Sequence, residues 1–281
     1  MPARQTSGDL PTGRVATLDP SDMRVVVLAG GMGTRLQEET DTRPKPMVEI
    51  GGRPIIWHIM KLYSSFGLSH FVVALGYKGD QIKSYFLNYR NLSGDLRVDT
   101  REGTTTALDR SSSSWDAWTV DLIDTGDDTN TGGRVRRLTE HLPGENFCVT
   151  YGDGLTNANI ASIVDFHMQH GRMVTVMAVR PPSRFGWLEL QGNRVTSFVE
   201  KPDLGEGWVN GGFMVLRREV LEQIASDDHN LELDVIAPLA TAGEVMAYPH
   251  CEFWQPMDTL KDVRVLRALW DQGSAPWRLW D

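Results

Sequence analysis

The five residues 24–28, Arg-Val-Val-Val-Leu, pass without a break into a glycine loop at 29–33, Ala-Gly-Gly-Met-Gly. A short β-branched run with no polar alternation suits a strand buried on both faces, the usual state of a strand in a parallel sheet. Parallel strands need long crossover connections, and the sequence supplies candidates. Pro54 opens an amphipathic stretch in which Ile55, Ile59, Leu62 and Phe66 recur at helical spacing before Gly67; proline is well placed there because the first N–H groups of a helix are unpaired anyway. Residues 70–75, 147–151 and 173–179 read as further strands. Residues 80–89, 160–170 and 259–270 read as helices. This alternation predicts an α/β fold, a Rossmann-like, mostly parallel sheet with helices on both faces.

Two regions break the rhythm. Residues 91–130 are rich in Ser, Thr, Asp and Gly and carry only short strand-like pieces, which predicts a long loop insertion or hairpin. Residues 187–190, 195–199 and 212–216 read as short strands of a small mixed or antiparallel β section. A chain of 281 residues is long enough for one sizeable core. We therefore expect a single domain over 23–281, with a substrate-binding part at about 180–260. Residues 1–22 read as a flexible extension, or as a stretch preceding a downstream start.

Composition removes several classes. A net charge of −9 argues against a general nucleic-acid binder, which would show a basic face. No apolar run approaches the roughly 20 residues that span a bilayer, so no membrane partner is expected. Cys148 and Cys251 lie in apolar surroundings without metal-type spacing; both are expected to be reduced, buried thiols of a cytoplasmic protein.

The glycine loop is the most informative stretch. Glycines directly after a strand let backbone N–H groups approach a phosphate. Arg35 adds a planar cation, and Lys45, between Pro44 and Pro46, adds a point charge on a stiffened segment. A dinucleotide fingerprint would want Gly or Ala where Leu36 stands, and a P-loop would want Gly-Lys followed by Ser or Thr. Asp153, in Tyr-Gly-Asp-Gly, and Asp258, in Gln-Pro-Met-Asp-Thr, are carboxylates that fit a shared Mg²⁺ or, taken singly, a turn or a helix cap. Glu200 and Lys201 fit an anion site or a solvated strand end. His167 and His170, on one expected helix with no ligand cluster, read as packing or surface residues.

Gly-Gly-Met-Gly-Thr-Arg-Leu at 30–36 and Lys-Pro-Met at 45–47 resemble the sugar-nucleotide pyrophosphorylases. Asp-Thr-Gly-Asp at 124–127, Thr-Gly-Gly-Arg at 131–134, Tyr-Gly-Asp-Gly at 151–154, Asn-Gly-Gly-Phe at 210–213 and Phe-Trp-Gln-Pro-Met-Asp-Thr at 253–259 resemble the glucose-1-phosphate cytidylyltransferase branch. The resemblance implies transfer of a cytidylyl group from CTP to a sugar 1-phosphate, with Mg²⁺ as cofactor and a homo-oligomeric assembly. It implies catalytic roles for Arg35 and Lys45, and nucleotide contacts at Leu28, Ala29, Gly30, Gly31, Gly33, Thr34, Thr129, Arg134 and Gly152. It implies sugar-phosphate contacts at Gly186, Glu200, Lys201 and Asn210, and metal ligation by Asp153 and Asp258. The chain departs from the branch at 230–239, where the usual Trp-Glu pair is missing, and in the serine-rich loop 101–118. These departures leave open another sugar 1-phosphate, or UTP or dTTP for CTP. A non-catalytic nucleotide-binding regulator is the alternative from another class. Retention of Arg35, Lys45, Asp153 and Asp258 argues against it.

Overall fold

The computed structural model describes residues 23–31, 33, 36–91, 94–108, 116–181, 187–191, 194–199 and 207–280. Its centre is a seven-stranded sheet. The strands are Arg24–Leu28 (β1), His70–Leu75 (β2), Thr119–Asp124 (β3), Asn146–Tyr151 (β4), Val174–Val179 (β5), Val209–Arg217 (β6) and Val245–His250 (β7). Their order across the sheet is β7-β5-β6-β4-β1-β2-β3. β1 pairs in parallel with β2 and β4, β2 with β3, and β5 with β7. Only β6 runs against its neighbours, β4 and β5.

Alternation along β1 divides the interior into two cores. Val25 and Val27 point to one face, with Phe71, Val73 and Cys148. Val26 and Leu28 point to the other, with Val72, Ala74 and Val149. The helices Ile55–Ser64 (α1), Gly79–Leu87 (α2), Ile160–His170 (α3) and Leu260–Asp271 (α4) contribute to the first core. The helix Thr131–Arg137, a 3₁₀ segment Arg218–Gln223 and a π-helical turn Leu231–Ile236 cover the second. Each fully buried Val, Leu or Ile contributes about 1.5–3 kcal/mol, so the β1 triplet alone anchors the sheet on both sides.

Three expectations need correction. Residues 119–124, read as part of a loop insertion, form β3, a full edge strand of the main sheet; among the described residues the hairpin character is carried by Leu96–Asp99 and Thr104–Ala107. β3 is only half-buried, so its sequence, Thr-Val-Asp-Leu-Ile-Asp, lacks the apolar run that marks β1. Residues 212–216, assigned to the small mixed section, belong to β6 in the centre of the sheet, while Trp187–Gln191 and Arg194–Val199 do pair as a separate antiparallel hairpin. Cys148 is buried, and burial pushes its thiol up to about 12, but Cys251 is exposed, because it sits in the turn that follows edge strand β7.

The tryptophans near the end of the given sequence pack within the same chain. Trp277 is fully buried against His58 and Phe253, and its Nε1 donates to His58 Nδ1 at 3.3 Å. Trp270 and Trp280 meet the same imidazole. His58 Nε2 lies 2.9 Å from the Ile50 carbonyl, and burial pulls its pKa down to about 4. His167 is likewise buried, bonded to Thr175 and Asn146, and held down at about 4 by burial.

Candidate active site

The chain runs from β1 to β2 and β3 on one side, then returns to β4 on the other side of β1. The crevice beyond the carboxyl ends of β1 and β4 is therefore a topological switch point, where open α/β sheets bind ligands. A cavity of about 710 Å³ opens there, within the usual range for a small-molecule site. Leu28, Ala29, Gly30, Gly31 and Gly33 line it from β1, and Gly152 and Asp153 from β4. Lys45, Thr129 and Arg134 complete the set of expected residues in the wall. Thr34, Arg35, Gly186, Glu200 and Lys201 lie outside the described residues.

Asp153 and Asp258 are 105 positions apart, and a small ladder brings them together. Gly154–Thr156 pairs antiparallel with Trp254–Pro256, and Met257 N donates to the Asp153 carbonyl at 2.7 Å. Asp258 thereby lands beside Asp153, just ahead of α4. Thr259 caps that helix in a reciprocal box with Asp262, which fixes the backbone carrying Asp258. Lys45 sits in a 3₁₀ turn, Lys45–Met47, closed by Met47 N to the Pro44 carbonyl and Val48 N to the Lys45 carbonyl. Its Nζ donates to Asp153 Oδ2 at 2.5 Å and to Asp258 Oδ1 at 2.8 Å. Burial lowers the Lys45 pKa, but the two carboxylates outweigh it, and the ammonium is held above its ordinary value.

Two carboxylate oxygens within reach of one cation are a fitting donor set for Mg²⁺, which takes one or two carboxylates and completes its shell with phosphate oxygens and water. Among the described residues no group of three or more His, Cys, Asp or Glu side chains is placed to hold a metal alone. The pair therefore suits an ion that arrives with phosphates better than a permanently caged one.

Arg134, expected to contact the nucleotide, lines the cavity, and its guanidinium is also tied into the surrounding backbone. It is 5 % exposed. Its guanidinium donates to the carbonyls of Leu75, Gly126, Gly30 and Asp127 and to Thr125 Oγ1, at 2.8–3.2 Å. It joins the glycine loop, the end of β2 and the 125–127 loop. A Cβ on Gly30 would lie 2.2 Å from Arg134 Nη1, so glycine is required there by the guanidinium as much as by any ligand.

The cavity is also lined by Asp127, which closes the 124–127 motif, and by Asp128 and Asp228, to which the sequence did not point. Asp228 arrives from 98 residues downstream of Asn130, through backbone bonds from Asn130 N to the Asp227 carbonyl and from Gly132 and Gly133 N to the His229 carbonyl. Gly133 permits this approach, since a Cβ there would meet the Asp227 carbonyl at 2.3 Å. The glycine pair at 132–133 was the available signal. Asn210 is brought to the same edge because β6 runs in reverse, so its start lies beside the end of β5, with Asn210 opposite Ala178. There it lines a smaller cavity of about 80 Å³ with Tyr151, Asp153 and Trp254.

A glycine loop, a buried lysine and two converging carboxylates at the switch point of a mostly parallel sheet describe a nucleotide-transfer enzyme. The chain belongs to the nucleotidyl transferase family, which it matches over residues 24–271. It is 46% identical over 260 residues to the glucose-1-phosphate cytidylyltransferase of Salmonella typhi, covering 92% of this chain and 100% of that one. It is 37% identical over 259 residues to a probable glucose-1-phosphate cytidylyltransferase of Bacillus subtilis, with 92% and 100% covered. Among solved structures, HddC from Yersinia pseudotuberculosis shares the fold at a TM-score of 0.64 and 23% identity, over 88% of this chain and 99% of that one. Enzymes of this family generally use a divalent metal.

Proposed function

We propose that the chain transfers the cytidylyl group of CTP to a sugar 1-phosphate, with α-D-glucose 1-phosphate as the expected acceptor, releasing pyrophosphate and a CDP-sugar. Similarity to the cytidylyltransferases of Salmonella and Bacillus supports the choice of substrates. The observation that carries the reading is the meeting of Lys45, Asp153 and Asp258 on a cavity walled by the glycine loop.

In this reading a phosphate oxygen of the sugar attacks the α-phosphorus of CTP in line, the bond to the β-phosphate breaks, and pyrophosphate leaves with the electron pair. The nucleophile is already anionic, so no side chain need take a proton. Rate comes from positioning and charge neutralisation. The backbone at Gly30, Gly31 and Gly33 cradles the nucleotide, and Thr129 lines its base end. Arg134 holds these loops in register. Lys45, with Arg35, supplies positive charge to the phosphates. Asp153 and Asp258 would hold Mg²⁺, which when bound neutralises phosphate charge. Asn210, with Gly186, Glu200 and Lys201, binds the sugar phosphate. The same proposal takes 23–281 as one domain, with its sugar-binding part at about 180–260, and the protein as a cytoplasmic homo-oligomer.

The test is pyrophosphate release with Mg²⁺ and four nucleoside triphosphates against a panel of sugar 1-phosphates. Release confined to CTP with glucose 1-phosphate is expected. CTP with another sugar would relocate the novelty to the neighbourhood of Asn210. Folded protein that binds nucleotide without turnover would replace the enzyme by a regulator.

A further inference from the structure

The same two carboxylates that suit a divalent cation are already bridged by an ammonium of the chain itself. Lys45 Nζ lies 2.5 Å from Asp153 Oδ2 and 2.8 Å from Asp258 Oδ1. A metal shared by these oxygens would sit about 2.0–2.1 Å from each, in the space the ammonium fills. The two cations exclude each other there by volume and by charge. We propose that Lys45 is the resting counter-ion of the Asp153–Asp258 pair, so that a divalent cation must displace the ammonium and loads most readily when nucleotide phosphates draw it away. This inference rests on the reading of Asp153 and Asp258 as metal ligands.

The fold confines the exchange to one side chain. The backbone at Lys45 is held by Pro44, Pro46 and two turn hydrogen bonds. The carboxylates are held by the 154–156 and 254–256 ladder and by the capped start of α4. Between these fixed backbones lies the flexible four-carbon lysine stem, whose compact ammonium can re-pair without the fixed geometry a guanidinium demands. Phosphates entering along the glycine loop offer the ammonium new acceptors and offer the metal its missing oxygen ligands together. Nucleotide and metal then raise each other's affinity, as linkage requires. In the resting protein the lysine also spares two half-buried carboxylates from facing each other unpaired.

The experiment measures Mn²⁺ binding to the full chain without nucleotide, by the electron paramagnetic resonance signal of free Mn²⁺. Lys45→Ala and Lys45→Met should each bind one Mn²⁺ about tenfold or more tightly than the unsubstituted chain, the usual size of a coupling between two ligands. Adding Asp153→Asn to either should abolish that gain. Affinities in both lysine variants no higher than in the unsubstituted chain would overturn the proposal. If the unsubstituted chain already binds one Mn²⁺ as tightly, and Asp153→Asn removes it, the metal ligands stand and the counter-ion role falls. Binding indifferent to Asp153→Asn would sink both. A measurement on the unsubstituted chain avoids any folding defect of the variants: millimolar Mn²⁺ should speed acylation of Lys45 by an amine reagent, read by mass spectrometry. An unchanged rate counts against the exchange.

Discussion

Lys45 and Arg134 are buried cations in the wall of one cavity, and they are balanced in opposite ways. Lys45 meets two carboxylates, which hold its proton more tightly than water would despite its burial. Arg134 meets backbone carbonyls and a hydroxyl; burial lowers its pKa, yet an arginine stays charged in a protein. One is a point charge on a flexible stem beside groups that carry full charge. The other is a rigid fork spread over three loops. Burial alone therefore does not mark a reactive group. What a buried charge is paired with tells whether it can be re-paired during a reaction or is part of the frame.

Substitutions should separate the two. Lys45→Ala should lower turnover at least about 10²-fold, the scale of losing one preorganised charge at a transition state, with pyrophosphate release as the assay. Lys45→Arg should restore little, because a planar fork does not fit a site built for a point charge. Arg134→Ala should instead cost about 2–4 kcal/mol of stability, since it leaves several buried carbonyls without donors, and denaturant unfolding would read it. Gly30→Ala should destabilise through the same contact, and its cost should shrink in an Arg134→Ala background, where the guanidinium it strikes is gone. Additive losses would show that Gly30 and Arg134 act separately.

A smaller effect checks that acid sensitivity belongs to neither cation. In the unfolded chain each imidazole takes a proton near pH 6.5, whereas His58 and His167 stay neutral in the folded protein down to about 4. Acid therefore favours the unfolded chain. The stability these two residues give is present above pH 6.5 and is lost as pH falls through 4. By pH 5.5 each should have cost about 1 kcal/mol. Thermal melts between pH 7 and 5.5 should show this slope equally in the Lys45 and Arg134 variants.

The sequence was most legible where one residue type answers one physical demand. The unbroken Val-Val-Val run suited a doubly buried strand, and the glycines after it marked a phosphate-binding loop before any strand order was known. Helix 160–170 was readable to the residue. Legibility failed where the signal was shared between distant segments. β3, half-buried at the edge, has mixed polarity, and β6 looks like any short strand until its neighbours are known. Asp153 and Asp258 could be named from motifs, but their meeting depends on a three-residue ladder with no pattern of its own. Asp228 carries no motif at all; its place follows from backbone bonds to a glycine pair nearly a hundred residues away. Arg134 was identified as a site residue, yet whether its fork faces a ligand or the surrounding carbonyls is a question of loop geometry.

The ladder between 154–156 and 254–256 also sets an order in time. Asp153 leaves the ribosome with the central sheet half made, while Asp258, 105 positions later, and the helix that steadies it are still to come. Until they emerge, Lys45 has at most one of its two partners. The nascent protein can fold much of its sheet and close its glycine loop, but it has no complete pair of carboxylates to offer. The carboxylate pair is thus completed later than the first half of the sheet, when the 254–271 segment has docked.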